Sequence, residues 1–229
     1  MELHPIFSHP SVVIVQEKGS ARLLMAKYDG GYPLRCYRGS FSILGGNPTP
    51  DDVGPRQVLK RRLGIEFKIA DDARILKFNP DIVWADIKDI NLIRDSISRR
   101  AVPIGDYLMR GNASLLEDGP YYGIASAFLA EIPGDVFKVA EMNLERGRQL
   151  TTEGFLGIVS LDDLTRSEKG EYSTAYFHGP LLNDVFGSKI PFPNGVEAMK
   201  ISSTVREEFE DYFIDFTYRD GWNGHRVKG

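Results

Sequence analysis

The chain has 229 residues, 42% hydrophobic, 11% aromatic and 26% charged, which argues against wholesale disorder, a collagen repeat or a coiled coil and points to one domain with additions around a single core. Its 28 Lys and Arg stand against 32 Asp and Glu, a formal net charge of -4, so nothing global draws it to nucleic acid or an anionic membrane.

Residues 1–10 (MELHPIFSHP) lack the basic start and apolar run of a secretory signal, and no apolar stretch approaches the roughly 20 residues that cross a bilayer. The expectation is a soluble, cytoplasmic protein without a membrane partner. Residues 11–15 (SVVIV) and 21–28 (ARLLMAKY) read as two strands of a hairpin, turned at Gly19 and Ser20. A third strand is expected over 35–44, bent at Gly39 and ended by Gly45 and Gly46. A loop rich in Pro and Asp follows, then a short helix from Pro55 to Leu63 stopped by Gly64, and a strand over 65–69.

Further along, Val83, Ile87, Ile90 and Ile97 recur at helical spacing and predict a helix over 79–100 that contains Trp84. Residues 101–120 hold Pro103, Gly105, Gly111, Gly119 and Pro120 and read as a loop excursion, which completes a helical insert over 79–120. Strands are expected over 121–132 and 154–161, with a helix start at Asp162 and Asp163. Val205, Phe209, Tyr212, Phe213 and Phe216 form the stripe of an amphipathic helix in an extension over 187–229. Such a stripe needs a cover, so the tail either packs on its own sheet or crosses to a partner in a homodimer.

The order of these pieces resembles the Nudix (MutT-like) family. The residues that carry the likeness are 41–46 (FSILGG), similar to the aromatic residue and Gly-Gly that open the family's box, Leu63, Gly64 and Ile65 at its close, 128–132 (FLAEI), and 153–164 (EGFLGIVSLDDL). The resemblance covers about residues 11–186 and implies an α+β fold, an α/β/α sandwich around a mixed sheet. It also implies a helix whose Glu residues bind Mg²⁺ for attack of water on a diphosphate.

That helix departs from the box. Gly46 and Gly64 are 18 residues apart, three fewer than the family spacing. Aligned on Gly64, Gln57 takes the Arg position, Val58 the first Glu, and Arg61 and Arg62 the paired Glu; aligned on Gly46, Asp52 takes the early Glu, Lys60 the Arg and Arg61 the next Glu. Guanidinium has no lone pair for a metal, so the box reads as degenerate, with no metal ligand and no cofactor.

Arg61 and Arg62 then read either as solvated residues on the polar side of the helix or, with Gly45 and Gly46, as a site for a small phosphorylated, nucleotide-like ligand. Thr49, Asp51 and Asp52 read first as turn and capping residues. The rival is a Mg²⁺-dependent hydrolase of nucleoside diphosphate derivatives with relocated acids, for which Asp51, Asp52, Glu145 and Glu153 are the candidates; a second rival is a non-catalytic dimerising module. The acids Glu207, Glu208, Glu210 and Asp211 read as the solvated face of the tail helix, Cys36 as a strand or buried residue, and the four His, at 4, 9, 178 and 225, have no metal spacing.

Overall fold

The computed structural model describes residues 6–28, 37–77, 79–111, 121–166, 173–175 and 177–206. In chain order the strands are β1 (Ile6–Ser8), β2 (Ser11–Glu17), β3 (Arg22–Lys27), β4 (Phe41–Ser42) and β5 (Leu44–Gly46), followed by helix α1 (Pro55–Glu66). Next come a 3-10 turn (Arg74–Lys77), β6 (Val83–Trp84), α2 (Ile87–Arg100), β7 (Ala101–Gly111), β8 (Tyr121–Ile132), α3 (Gly134–Glu145) and β9 (Arg148–Gln149). The remainder is β10 (Phe155–Ser160), α4 (Leu161–Leu164), α5 (His178–Phe186) and β11 (Glu197–Ser202).

One mixed sheet organises these elements in the order β10-β3-β2-β8-β7-β11, with β5 beside β2, β4 beside β3 and β1 beside β8. β1 and β2 run parallel to β8, while the pairs β2/β3, β3/β10, β7/β8 and β7/β11 are antiparallel. The period-2 alternation of SVVIV decides which helices cover which face. Val13 and Val15 pack with Leu59 and Leu63 of α1, Ile90, Ile93 and Ile97 of α2, and Phe137 and Ala140 of α3. Val12 and Ile14 pack with Tyr107, Met109, Leu164 of α4 and Leu181 and Leu182 of α5. The result is the expected α+β arrangement, a mixed sheet between two helical layers.

Several elements differ from the sequence reading. The helix begun at Pro55 runs past Gly64 to Glu66, and Phe67 N–H closes it on the Leu63 carbonyl at 2.9 Å. Helical Gly costs about 1 kcal/mol, and here burial of Leu63 and Phe67 outweighs it. The strand expected over 65–69 is therefore a helix end followed by bends.

Only the second part of the 79–100 segment is helical, and Trp84 sits instead in β6, paired in parallel with β9. The stretch read as a loop from 101 is the strand β7. Its Pro103 and Gly105 flank an irregularity in the β7–β8 register, where a missing N–H costs no ladder bond. Gly105 adopts φ +144°, which side chains disfavour, and a Cβ there would also collide with the Ser202 carbonyl of β11. The strand expected over 35–44 is, in its described part, β4 and β5 split at Ile43, β4 pairing with β3 and β5 with β2.

In the expected helical extension the described residues 197–202 are an edge strand. Val205 is buried against the α1–α2–α3 layer, while the rest of the aromatic stripe, the 207–211 acids, Cys36, His4 and His225 lie outside the described residues. Among the described residues no helix is long and apolar enough to cross a membrane.

Candidate functional site

The C-terminal half of α1 faces β5, the end of β3 and the loop 150–154. That loop is tied to the helix end: Thr152 N–H donates to the Glu66 carbonyl at 2.8 Å, Thr152 Oγ1 donates to the Ile65 carbonyl at 3.0 Å, and Ile75 N–H donates to the Thr152 carbonyl at 3.1 Å. Carbonyls that a helix end leaves unpaired are thereby satisfied, and Glu153 and the 3-10 turn are fixed beside α1. Between them lies a cavity of about 260 Å³, lined by the charged residues Lys27, Arg62, Glu66, Arg74 and Glu153 and by apolar walls that include Leu44 and Leu156.

Arg62 is the centre of this arrangement. Its Nη2 donates to Glu66 Oε1 at 2.7 Å and to Glu153 Oε2 at 2.9 Å. Its stem lies on Gly46, where a Cβ would overlap the guanidinium. Glycine at 46 is thus the space that lets the cation reach both acids. Gly45, at φ +143°, lines the cavity and packs its α-carbon against the β2 backbone at Ser11 and Val12.

The Glu66 side chain is 8% exposed, and burial raises its carboxyl to about 7; Arg62 pulls it down, but burial and the neighbouring charge of Glu153 prevail. Arg62 itself is held above the ordinary range, since burial opposes its charge but the Glu66 and Glu153 carboxylates outweigh that. It stays a cation throughout.

Arg61 points elsewhere. Its Nε and Nη2 form a fork on Asp52, at 3.0 Å and 2.7 Å to Oδ2, and Nη2 also donates to the Asn47 carbonyl at 2.9 Å. Asp52, with 1% of its side chain exposed, also accepts from Thr49 N–H at 2.7 Å. Burial opposes ionisation of Asp52, but the Arg61 and Thr49 hydrogen bonds hold its carboxyl below the usual range. This pair clamps the loop 47–52 onto α1, in keeping with the turn role expected of Asp52. Neither arginine is a solvated helix residue.

Of the residues singled out from sequence, the structure puts Gly45, Arg62 and Glu153 in the cavity lining, with Gly46 against the Arg62 side chain, and leaves Arg61, Asp51, Asp52 and Glu145 outside the lining. Asp51 is exposed in its turn, and Glu145 is exposed at the end of α3. Glu66, Arg74 and Lys27 were missed. Glu66 carried a signal, the i,i+4 spacing from Arg62, which a helix ended at Gly64 hides.

The Mg²⁺ implied by the family likeness does not fit these residues. On α1 the two positions of the paired acids hold guanidinium groups already engaged with carboxylates, and among the described residues no group of three or more His, Cys, Asp and Glu is placed to hold a metal ion. A second polar cluster is purely internal: His9 Nε2 meets Ser126 Oγ at 3.2 Å, and Ser126 Oγ donates to Asp106 Oδ1 at 2.7 Å. Because the hydroxyl gives its proton to Asp106 and accepts from the imidazole, this is not a nucleophile activated by a base.

No protein-family model matches the chain, and no curated protein sequence matches it. Among solved structures it is similar to a MutT protein from Methanosarcina mazei, at 13% identity over 73% of this chain and 86% of that one, with a TM-score of 0.38. It is also similar to a Nudix hydrolase from Nitrosomonas europaea, at 10% identity over 82% and 94% of the two chains and a TM-score of 0.38. A mutT/nudix family protein from Listeria innocua shows 13% identity over 70% and 82%, with a TM-score of 0.36. Likeness of that degree assigns neither an activity nor a ligand.

Proposed function

We propose that this chain is a Nudix-like protein with a degenerate metal site, which binds a small phosphorylated, nucleotide-like ligand in the α1 cavity without pyrophosphohydrolase activity. The observation that carries this reading is Arg62: the helix position expected to supply a metal-binding carboxylate supplies a cation instead, in a cavity that Lys27 and Arg74 also line. Guanidinium and ammonium groups bind phosphoryl oxygens directly through charge-assisted hydrogen bonds, the work otherwise given to a divalent ion. Gly45 adds no side chain to the strand side of the cavity, Gly46 leaves room for the Arg62 stem, and Leu44 and Leu156 offer apolar surface to a base or other ring.

The test is calorimetry and thermal shift with AMP, ADP, ADP-ribose and pyrophosphate, each with and without Mg²⁺. Stabilisation by at least one of them, independent of Mg²⁺ and without product formation, is expected. Mg²⁺-dependent turnover lost in Glu153→Gln would establish the relocated-acid hydrolase instead. The reading includes a cytoplasmic location, which a lone cysteine suits, no nucleic-acid partner, and a homodimer in which the tail or the 79–120 insert crosses to the partner, checked by light scattering against the 25.7 kDa monomer.

A further inference from the structure

Among the described residues, five charged side chains line the α1 cavity: Lys27 from β3, Arg62 and Glu66 from α1, Arg74 from the 3-10 turn and Glu153 from the loop 150–154. Lys27 and Arg74 are exposed to solvent, which screens them, whereas Glu66 is nearly dry, and a charge in a poorly hydrated place is costly unless it is paired. Glu66 is the member whose state is open to change, because it is nearly dry and shares its donor Arg62 with Glu153.

From this geometry, and resting on the phosphoryl-binding reading above, we infer that the cavity takes the terminal dianionic phosphoryl group of a phosphomonoester together with one proton, which goes to the Glu66 carboxylate. Neutral Glu66 releases its hold on Arg62, so that guanidinium N–H groups turn from Glu66 to phosphoryl oxygens, and the new carboxylic O–H becomes a further donor. A dianionic phosphoryl group competes with Glu66 for Arg62, and its charge beside the dry carboxylate favours the neutral acid; a phosphodiester, with one negative charge per phosphorus, does both less and is the poorer ligand.

The groups around Glu66 support this direction. Burial raises its carboxyl to about 7, Arg62 pulls it down, and Glu153 opposes a second negative charge nearby. A phosphomonoester acquires its second charge near pH 6. The complex therefore has a window: dianionic ligand and protonated Glu66 coexist between about pH 6 and 7.

The experiment is isothermal calorimetry with AMP as monoester and cyclic AMP as diester, at pH 5.5, 6.5 and 8 and in buffers of different ionisation enthalpy. Expected for AMP are tightest binding near pH 6.5, about tenfold weaker binding at pH 8, and uptake of about one proton per ligand at pH 8; cyclic AMP binds more weakly throughout. Glu66→Gln, whose amide donates as the neutral acid does, is expected to bind AMP as tightly at pH 8 as at 6.5. Carboxyl NMR of the unliganded protein gives a second readout that needs neither variant nor ligand, and a Glu66 midpoint near 4.5 would overturn the inference. AMP binding that is flat from pH 6.5 to 8 without proton uptake, or equal binding of cyclic AMP, overturns the inference and leaves the phosphoryl reading standing. Binding of neither AMP nor any other phosphorylated probe overturns both.

Discussion

Replacing Arg62 by Met keeps most of the stem on Gly46 and removes the charge that joins Glu66 to Glu153. The 2.7 Å bond to nearly dry Glu66 is a charge-assisted one, about 2 kcal/mol. That to Glu153, which is 39% exposed, is screened and contributes about 1 kcal/mol at most. The loss is therefore about 3 kcal/mol at pH 8.

At pH 5.5 it is smaller, because Glu66 is then neutral with or without Arg62. Its folded pKa, raised from 4.5 to about 7, means that the Glu66 contribution to stability is full below 4.5 and is lost as pH rises through 7. Removing Arg62 pushes the carboxyl higher still, so wild type and variant separate chiefly above 7, leaving about 1 kcal/mol at pH 5.5. For a chain of this size that is a fall in melting temperature of roughly 6–12 °C at pH 8 and 2–4 °C at pH 5.5. Urea unfolding at the two pH values measures both differences. Equal losses at both, or a loss below about 0.5 kcal/mol at pH 8, would refute the reasoning.

Gly45→Ala is expected to cost roughly 3 kcal/mol in urea unfolding, since its φ of +143° and the Ser11 carbonyl both oppose a Cβ; an unchanged midpoint would show that β5 can shift away from β2. His178 Nδ1 accepts from the Ile43 N–H at 3.2 Å, and burial alone lowers its pKa to about 3, so the imidazole should stay neutral at pH 5 by nitrogen NMR. Since its neutral form is the folded one, its contribution to stability is present above 6.5 and is lost as pH falls toward 3, opposite in sign to Glu66. Arg22→Ala should cost only about 1 kcal/mol in the same assay, because the ion pairs from β3 to Glu17 and to Glu141 on α3 are partly exposed, with the stacking on Phe137 adding a modest share.

The legible parts of this molecule are those set by local chemistry. The short β-type run SVVIV, the turn at Gly19, the Pro55 helix start and the strand over 121–132 each depend on neighbours within a few residues, and each appears as read. Gly45 and Gly46, read as the end of a strand, close β5. That the paired-acid positions of the box hold Arg61 and Arg62 was equally a sequence fact, because it concerns which side chains are present and not where they point.

Tertiary structure decided the rest. β7 carries Pro and Gly that signal a loop in isolation, yet β8 on one side and β11 on the other supply the ladder and tolerate an irregularity where Pro103 and Gly105 fall. Gly64 reads as a stop until burial of Leu63 and Phe67 carries α1 to Glu66. Adjacent Arg61 and Arg62 are alike in sequence, but a helix turns about 100° between neighbours, so one grips the 47–52 loop and the other enters the cavity. The charge of Glu66 depends on its burial and on sharing Arg62 with Glu153, 87 positions away, brought there because Thr152 satisfies the carbonyls at the end of α1. Periodicity holds no record of such an arrangement, because its energy arises only when folding removes water from Glu66 and sets the second acid on the same cation.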